Sequence, residues 1–205
     1  MSKGLFITFE GGDGSGKSTQ IEKLKDYLES EGFSVVLTRE PGGTKISEAI
    51  REIILDSKNT EMSDMTETLL YAAARAQLVE QVIRPAVERG DMVICDRFVD
   101  SSMAYQAYGR GLGDIVWDIN KNAVGDCMPD LTILLRLDPE AGMDRISGRK
   151  QDRIELSSSD FHRRVYEGYL ALEERFPDRI RGIDASKGIE EISEEIISIV
   201  QGLIK

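Results

Sequence analysis

The 205-residue sequence is poor in the features that mark secreted, metal-dependent and membrane proteins. It has two cysteines, Cys95 and Cys127, too few for a disulfide framework and without metal-ligand spacing. Cys95 falls in an apolar strand pattern and reads as a small buried hydrophobe. The single histidine, His162, lies in a polar helical stretch, Asp160-Phe161-His162-Arg163-Arg164, and is expected on the surface. No apolar run approaches the length of a membrane span, and the first one is too short for a signal peptide, so a cytoplasmic location is expected. Basic residues are also in deficit, 26 Lys and Arg against 37 Asp and Glu, for a net charge of −11. That balance argues against a nucleic-acid polymer or an anionic membrane as partner, since both need a basic face. An anionic substrate would have to be held by a local cluster of arginine and lysine.

What is present is more specific. Residues 11 to 18 read Gly-Gly-Asp-Gly-Ser-Gly-Lys-Ser and follow the apolar run Leu5-Phe6-Ile7-Thr8-Phe9. This is GxxxxGK[ST] between a buried strand and a helix, the context a phosphate-binding loop requires. Glycines let the backbone N–H groups turn inward around phosphate oxygens, and the helix N-terminus adds a favourable dipole. Lys17 can reach the β- and γ-phosphates, and the Ser18 hydroxyl can sit on Mg²⁺. The chain is expected to bind a nucleoside triphosphate.

Strand-like and helix-like segments alternate along the chain, and 40% hydrophobic content suffices for one core. Strands are expected at 5–9, 33–37, 92–95, 131–137 and 179–183. Helices are expected at 17–31, 45–55, 67–84 (broken at Pro85) and 189–204. The pattern predicts an α/β fold of the P-loop NTPase type, three layers deep, with a central parallel sheet and helices on both faces. No linker or repeat interrupts residues 1–205, so one domain is expected.

Asp96-Arg97-Phe98 stands at the carboxyl end of the third strand, where ligands bind in open parallel sheets. Asp96 suits Mg²⁺, directly or through water, and Arg97 offers a planar fork for a phosphate. Arg39 follows the second strand on the same sheet edge. Tyr71 and Arg75 lie four apart, on one helix face, where an aromatic could stack on a base beside a donor. The same spacing fits a core tyrosine and a surface arginine. Ser101, Ser102, Tyr105 and Gln106 add polar groups suited to a small molecule.

In this order the segments Phe9–Gln20, Thr38–Thr44, Tyr71–Arg75, Asp96–Phe98, Ser101–Gln106 and Gln151–Glu155 resemble bacterial thymidylate kinases, from residue 5 to about 170. The resemblance implies phosphoryl transfer from ATP to dTMP with Mg²⁺, giving ADP and dTDP. ATP would be held by Gly11, Gly12, Asp13, Gly14, Ser15, Gly16, Lys17, Ser18 and Thr19, with the metal at Ser18 and Asp96. The dTMP site would comprise Asp13, Arg39, Tyr71, Arg75, Arg97, Ser101, Ser102, Tyr105 and Gln106. In that set Arg39 and Arg97 hold the phosphate, Tyr71 stacks on thymine, Arg75 donates to a thymine carbonyl and Tyr105 crowds the sugar.

The catalytic set would be Lys17, Arg97, Asp13 and a lid arginine. Gly14 stands where part of the family has a loop arginine, so a mobile lid at about 145–156 must supply it, Arg149 first and Arg153 second. Phe98 departs from the family's usual tyrosine. The family also implies a homodimer, with the small, apolar face of the 69–82 helix as a contact. Three rivals stand beside this reading. One is a kinase for another nucleoside monophosphate. A second is a GTPase, for which Asn120-Lys121-Asn122-Ala123 lacks the final aspartate. The third is an ATPase that transfers phosphate only to water.

Overall fold

The computed structural model describes residues 4–146, 148 and 151–204. Five strands form one parallel sheet: β1 (Phe6–Glu10), β2 (Val35–Arg39), β3 (Met92–Asp96), β4 (Leu131–Arg136) and β5 (Ile180–Asp184), in the order β2-β3-β1-β4-β5. Because every neighbour is parallel, the connections are helices that cover both faces. Alternate residues of β1 divide between two cores. Ile7 and Phe9 pack beneath α1 (Lys17–Ser30) and α9 (Ile189–Ile204), against Leu24, Leu28, Ile192, Ile196 and Val200. Phe6 faces the opposite layer with Val93, Cys95, Leu78, Ile83 and Phe98. Cys95 is fully buried there, as its pattern predicts. The three-layer parallel architecture expected from the sequence is the one observed.

Helix α2 (Lys45–Leu55) has the predicted bounds, and the Thr44 side chain caps it by accepting from Ser47 N. The 67–84 helix differs from expectation at both ends. Helix α3 begins at Asp64, capped by Ser63, runs to Leu78 and continues as a π-helical segment over Val79–Ile83. Helix α4 (Arg84–Arg89) then carries the chain to Gly90, so Pro85 does not break it. The wider π turn precedes the proline, which sits in the first turn of α4. Beyond β3 lie α5 (Val99–Ser102) and a second π segment, Met103–Gly109, followed by α6 (Ile115–Val124), α7 (Pro139–Ile146) and α8 (Ser159–Arg175). The cross-strand registers Phe9–Asp96 and Arg39–Asp96 set the carboxyl ends of β1, β2 and β3 level. The segments that follow these three strands therefore share one rim.

Candidate active site

The rim opens into a cleft of about 610 Å³ between the glycine loop, α2, α3, the 96–106 segment, Arg145 and Ile146 of α7, and Asp152, Ile154 and Glu155. Backbone geometry explains why the loop must be glycine-rich. Gly14 has φ +75°, and a Cβ there would lie 2.1 Å from the Gly142 carbonyl oxygen of α7. A Cβ on Gly11, at φ +134°, would lie 2.5 Å from the Leu135 carbonyl oxygen. The loop is thus pressed against β4 and α7 from behind, while Asp13, Gly14, Gly16, Lys17, Ser18 and Thr19 face the cleft.

The Lys17 ammonium donates to the carbonyls of Gly11 (3.1 Å) and Gly12 (2.9 Å). Burial, reinforced by the Arg97 charge, pushes it down to about 8, against the pull of Asp96, Asp13 and Glu10. Two buried oxygens, Ser15 Oγ in the loop and Asp96 Oδ1 at the end of β3, have no hydrogen-bond partner among the described residues. Buried polar atoms of this kind are normally satisfied, so these fit a polar ligand or a metal-bound water.

Arg97 has the left-handed φ of +68°, which only a well-fixed turn sustains in a residue other than glycine. Its guanidinium donates to Asp13 Oδ1 (2.7 Å) and to the Gly11 carbonyl (2.9 Å), and it lies over the Tyr105 ring. The turn is fixed by Glu10, a fully buried carboxylate at the end of β1. Glu10 accepts from Phe98 N (2.7 Å), Ser101 N (3.2 Å), Ser101 Oγ (2.5 Å) and the Tyr169 hydroxyl (2.9 Å). Burial and the nearby Asp100 charge push its carboxyl up to about 7. Sequence reasoning did not single out Glu10, because its role depends on pairings more than 80 residues away.

Further cations line the cleft. Arg39 and Arg51 both donate to the Pro41 carbonyl, at 3.0 and 2.9 Å. Arg145 donates to the Gly14 carbonyl at 3.3 Å. An acidic chain therefore gathers Lys17, Arg39, Arg51, Arg75, Arg97 and Arg145 around one cavity, the local cluster that its net charge demands. Arg51 escaped the sequence reading, since a lone arginine on an amphipathic helix carries no signal, whereas Arg145 opens the segment expected to form the lid.

Tyr71, Ser101, Ser102, Tyr105 and Gln106 line the same cavity, so every residue of the expected dTMP set converges there. Arg75 is not the surface charge that its helical spacing also allowed. It is 1% exposed, and its guanidinium donates to Glu40, Ser102, Asn120 and the Phe98 carbonyl. Asn120, the first residue of the guanine-motif look-alike, is thus spent on Arg75. Burial raises the Glu40 carboxyl to about 7 despite Arg75, and its Oε1 has no hydrogen-bond partner among the described residues.

Three expectations fare differently. Arg149 lies outside the described residues. Arg153 does not point into the cleft: it donates to the Ile54 carbonyl (2.7 Å) and to Glu67 (2.6 Å), so in this conformation it is a tether. His162 is half-buried rather than on a solvated face, and it lines a small cavity behind the loop with Gly12, Asp13 and Leu137.

A phosphate-binding loop facing an arginine-lined acceptor cavity, with an aromatic above it, defines a P-loop kinase of small phosphorylated acceptors. The family model described as thymidylate kinase matches residues 9–196. A thymidylate kinase of Geobacillus sp. is 51% identical over 99% of both chains. That of Oceanobacillus iheyensis is 48% identical over 98% of this chain and 91% of its own. The crystal structure of thymidylate kinase from Ehrlichia chaffeensis superposes with a TM-score of 0.79 at 33% identity, covering 97% of this chain and 99% of the other. The chain belongs to the thymidylate kinase family. It is an enzyme of nucleotide biosynthesis that transfers the γ-phosphoryl group of ATP to dTMP, giving dTDP and ADP.

Proposed function

We propose that the transfer occurs between two anions held on either side of Arg97 and Asp13. The ATP phosphates lie in the Gly11–Thr19 loop with Lys17 on the β- and γ-oxygens. The dTMP phosphate lies against Arg97 and Arg39, with Arg51 beside them. Tyr71 stacks on the base, Arg75, Ser102 and Gln106 meet its polar edge, and Ser101 and Tyr105 border the sugar and phosphate. The observation that carries this reading is the Arg97 guanidinium, which touches both Asp13 and a loop carbonyl and so stands at the junction of the two sites.

An acceptor phosphate oxygen attacks the γ-phosphorus as the bond to the β,γ-bridging oxygen breaks, and ADP leaves with the released electron pair. The nucleophile is already anionic, so no general base is needed, and the protein's task is placement and charge neutralisation. Mg²⁺ would be held by Ser18 and, through water, by Asp96, and would supply neutralisation of phosphate charge. The unpartnered Asp96 Oδ1 fits that assignment.

The chain is read as one kinase domain with a lid at about 145–156 that closes over ATP and excludes water. Arg149 is proposed as its catalytic arginine, and Arg145, already against Gly14, as the nearer helper. Among the described residues no helix is long and apolar enough to cross a membrane. A homodimer is proposed through α2 and α3, where Ile46, Ile53 and Leu69 are 55%, 49% and 50% exposed. Leu78 and Val79, within the segment expected to make that contact, are buried in the core instead.

The test is ADP release with Mg·ATP and each nucleoside monophosphate in turn, with a no-acceptor control. Turnover confined to dTMP supports the whole assignment. Preference for another monophosphate keeps the phosphate chemistry and discards the base-pocket roles.

A further inference from the structure

The wall of the cleft at Gln106 is backed by a carboxylate that the phosphoryl transfer does not use. Glu67, in α3, is 1% exposed and holds four bonds. Its Oε1 accepts from Gln106 Nε2 (2.9 Å) and Arg110 Nε (3.2 Å). Its Oε2 accepts from Arg110 Nη2 (3.0 Å) and Arg153 Nη2 (2.6 Å). Burial alone would raise this carboxyl, but the Arg110 bonds and charge, with Gln106 and Arg153, hold it below the usual carboxylate range. Glu67 is therefore an ionised, acceptor-only group. A side-chain amide has a donor end and an acceptor end, and only the donor end can face such a neighbour. Gln106, itself 1% exposed, has its Nε2 turned to Glu67, which leaves Oε1 as the end offered to the cleft.

That orientation has a consequence for the base. Thymine and uracil carry an N–H donor at N3, whereas cytosine has a lone pair there. An acceptor oxygen in the wall pairs with the first and opposes the second, and buried sites discriminate strongly when a mismatch leaves a polar group unpaired. We infer that Glu67 is the positioning residue for base selectivity: it locks the Gln106 amide with its acceptor end toward the base and so selects N3–H pyrimidines over cytosine. The inference rests on the placement of the base against Gln106 proposed above. Arg153 extends the device, because the segment after residue 150 is tethered to the same carboxylate and to the Ile54 carbonyl.

The test compares kcat/KM for dTMP, dUMP and dCMP, and the Ki of dCMP against dTMP, in four proteins: wild type, Glu67→Gln, Glu67→Gln with Gln106→Glu, and Gln106→Ala. Glu67→Gln keeps the shape but frees the amide of residue 106 to face either way. The expected result is a drop of about tenfold or more in dTMP-over-dCMP preference. The dTMP-over-dUMP ratio should hold, since both bases carry N3–H, and so should the KM for ATP. In the double variant the carboxylate of residue 106 presents an acceptor in either orientation, so the preference over dCMP returns. Uniform loss with all three acceptors, or an unchanged ratio, overturns the inference while leaving the pocket assignment intact if Gln106→Ala still raises the KM for dTMP. A Gln106→Ala variant with wild-type KM for dTMP overturns both.

Discussion

Replacing Arg97 by alanine should separate the acceptor site from the donor site. The guanidinium sits 2.7 Å from Asp13 Oδ1 and 2.9 Å from the Gly11 carbonyl, and it is only partly exposed. A planar fork in that position can give two charge-assisted hydrogen bonds to the acceptor phosphate, each contributing about 1.5–3 kcal/mol. Losing about 3 kcal/mol in all lowers kcat/KM for dTMP by roughly 100- to 200-fold, at about 1.4 kcal/mol per factor of ten. The KM for ATP should move by less than about threefold, because Lys17 and the loop amides remain. The assay is coupled ADP release with each substrate varied at saturating levels of the other. Arg97→Gly supplies the folding control. At φ +68° a Cβ costs about 1–2 kcal/mol, so the glycine variant should be the more stable of the two by about 1 kcal/mol yet equally poor with dTMP. Equal losses in kcat/KM for ATP and dTMP would refute the assignment of Arg97 to the acceptor, as would activity that follows stability across the two variants.

Other outcomes follow from the same geometry. In Gly142→Ala the new Cβ would meet the Asp13 carbonyl oxygen at 2.3 Å, so either the loop or α7 must shift. The KM for ATP should rise about tenfold and stability fall by about 1–3 kcal/mol in urea titration, and unchanged ATP affinity would mean that the loop does not depend on this packing. Glu10 titrates near 7 in the folded chain against an ordinary value of 4.5, so between those values the folded state binds more protons than the unfolded. Its contribution is therefore fully present below about pH 4.5 and is lost as pH rises through about 7, with a slope of up to about 1.4 kcal/mol per pH unit. Urea titrations from pH 5 to 8 should show a shallower decline for Glu10→Gln than for wild type, and identical slopes would count against the shift. Arg149→Ala should lower kcat more than it raises either KM, as expected of a contact made in the transition state. If Arg145→Ala produces that pattern and Arg149→Ala does not, the role belongs to α7.

The parts legible in the sequence were those with local causes. The glycine loop is dictated by backbone φ values and close approach to phosphate, so its spacing announces it wherever it occurs. Asp96 and Arg97 were visible because an acidic-basic pair ends an apolar strand, and the register of β1 and β3 does the rest. Pro85 misled because the sequence shows a missing donor but not the π turn that accommodates it. Arg153 was illegible for another reason: the lid resemblance suggested a phosphate partner, whereas its guanidinium in the fold lies on Glu67, 86 residues away.

By itself the sequence determined the parallel α/β class and the phosphate-binding loop. Both rest on periodicity, backbone freedom or motif spacing, which are properties of neighbouring residues, whereas the expected roster of acceptor-site side chains rested on the resemblance to a family. Tertiary structure alone decided which of the charged side chains reach the cleft. Arg75 is buried among Glu40, Ser102 and Asn120, Glu10 holds the Arg97 turn from beneath, and Glu67 sets the face of Gln106. A charged group ends up wherever a partner offsets its desolvation, and those partners are brought together only by the folded sheet and its helices.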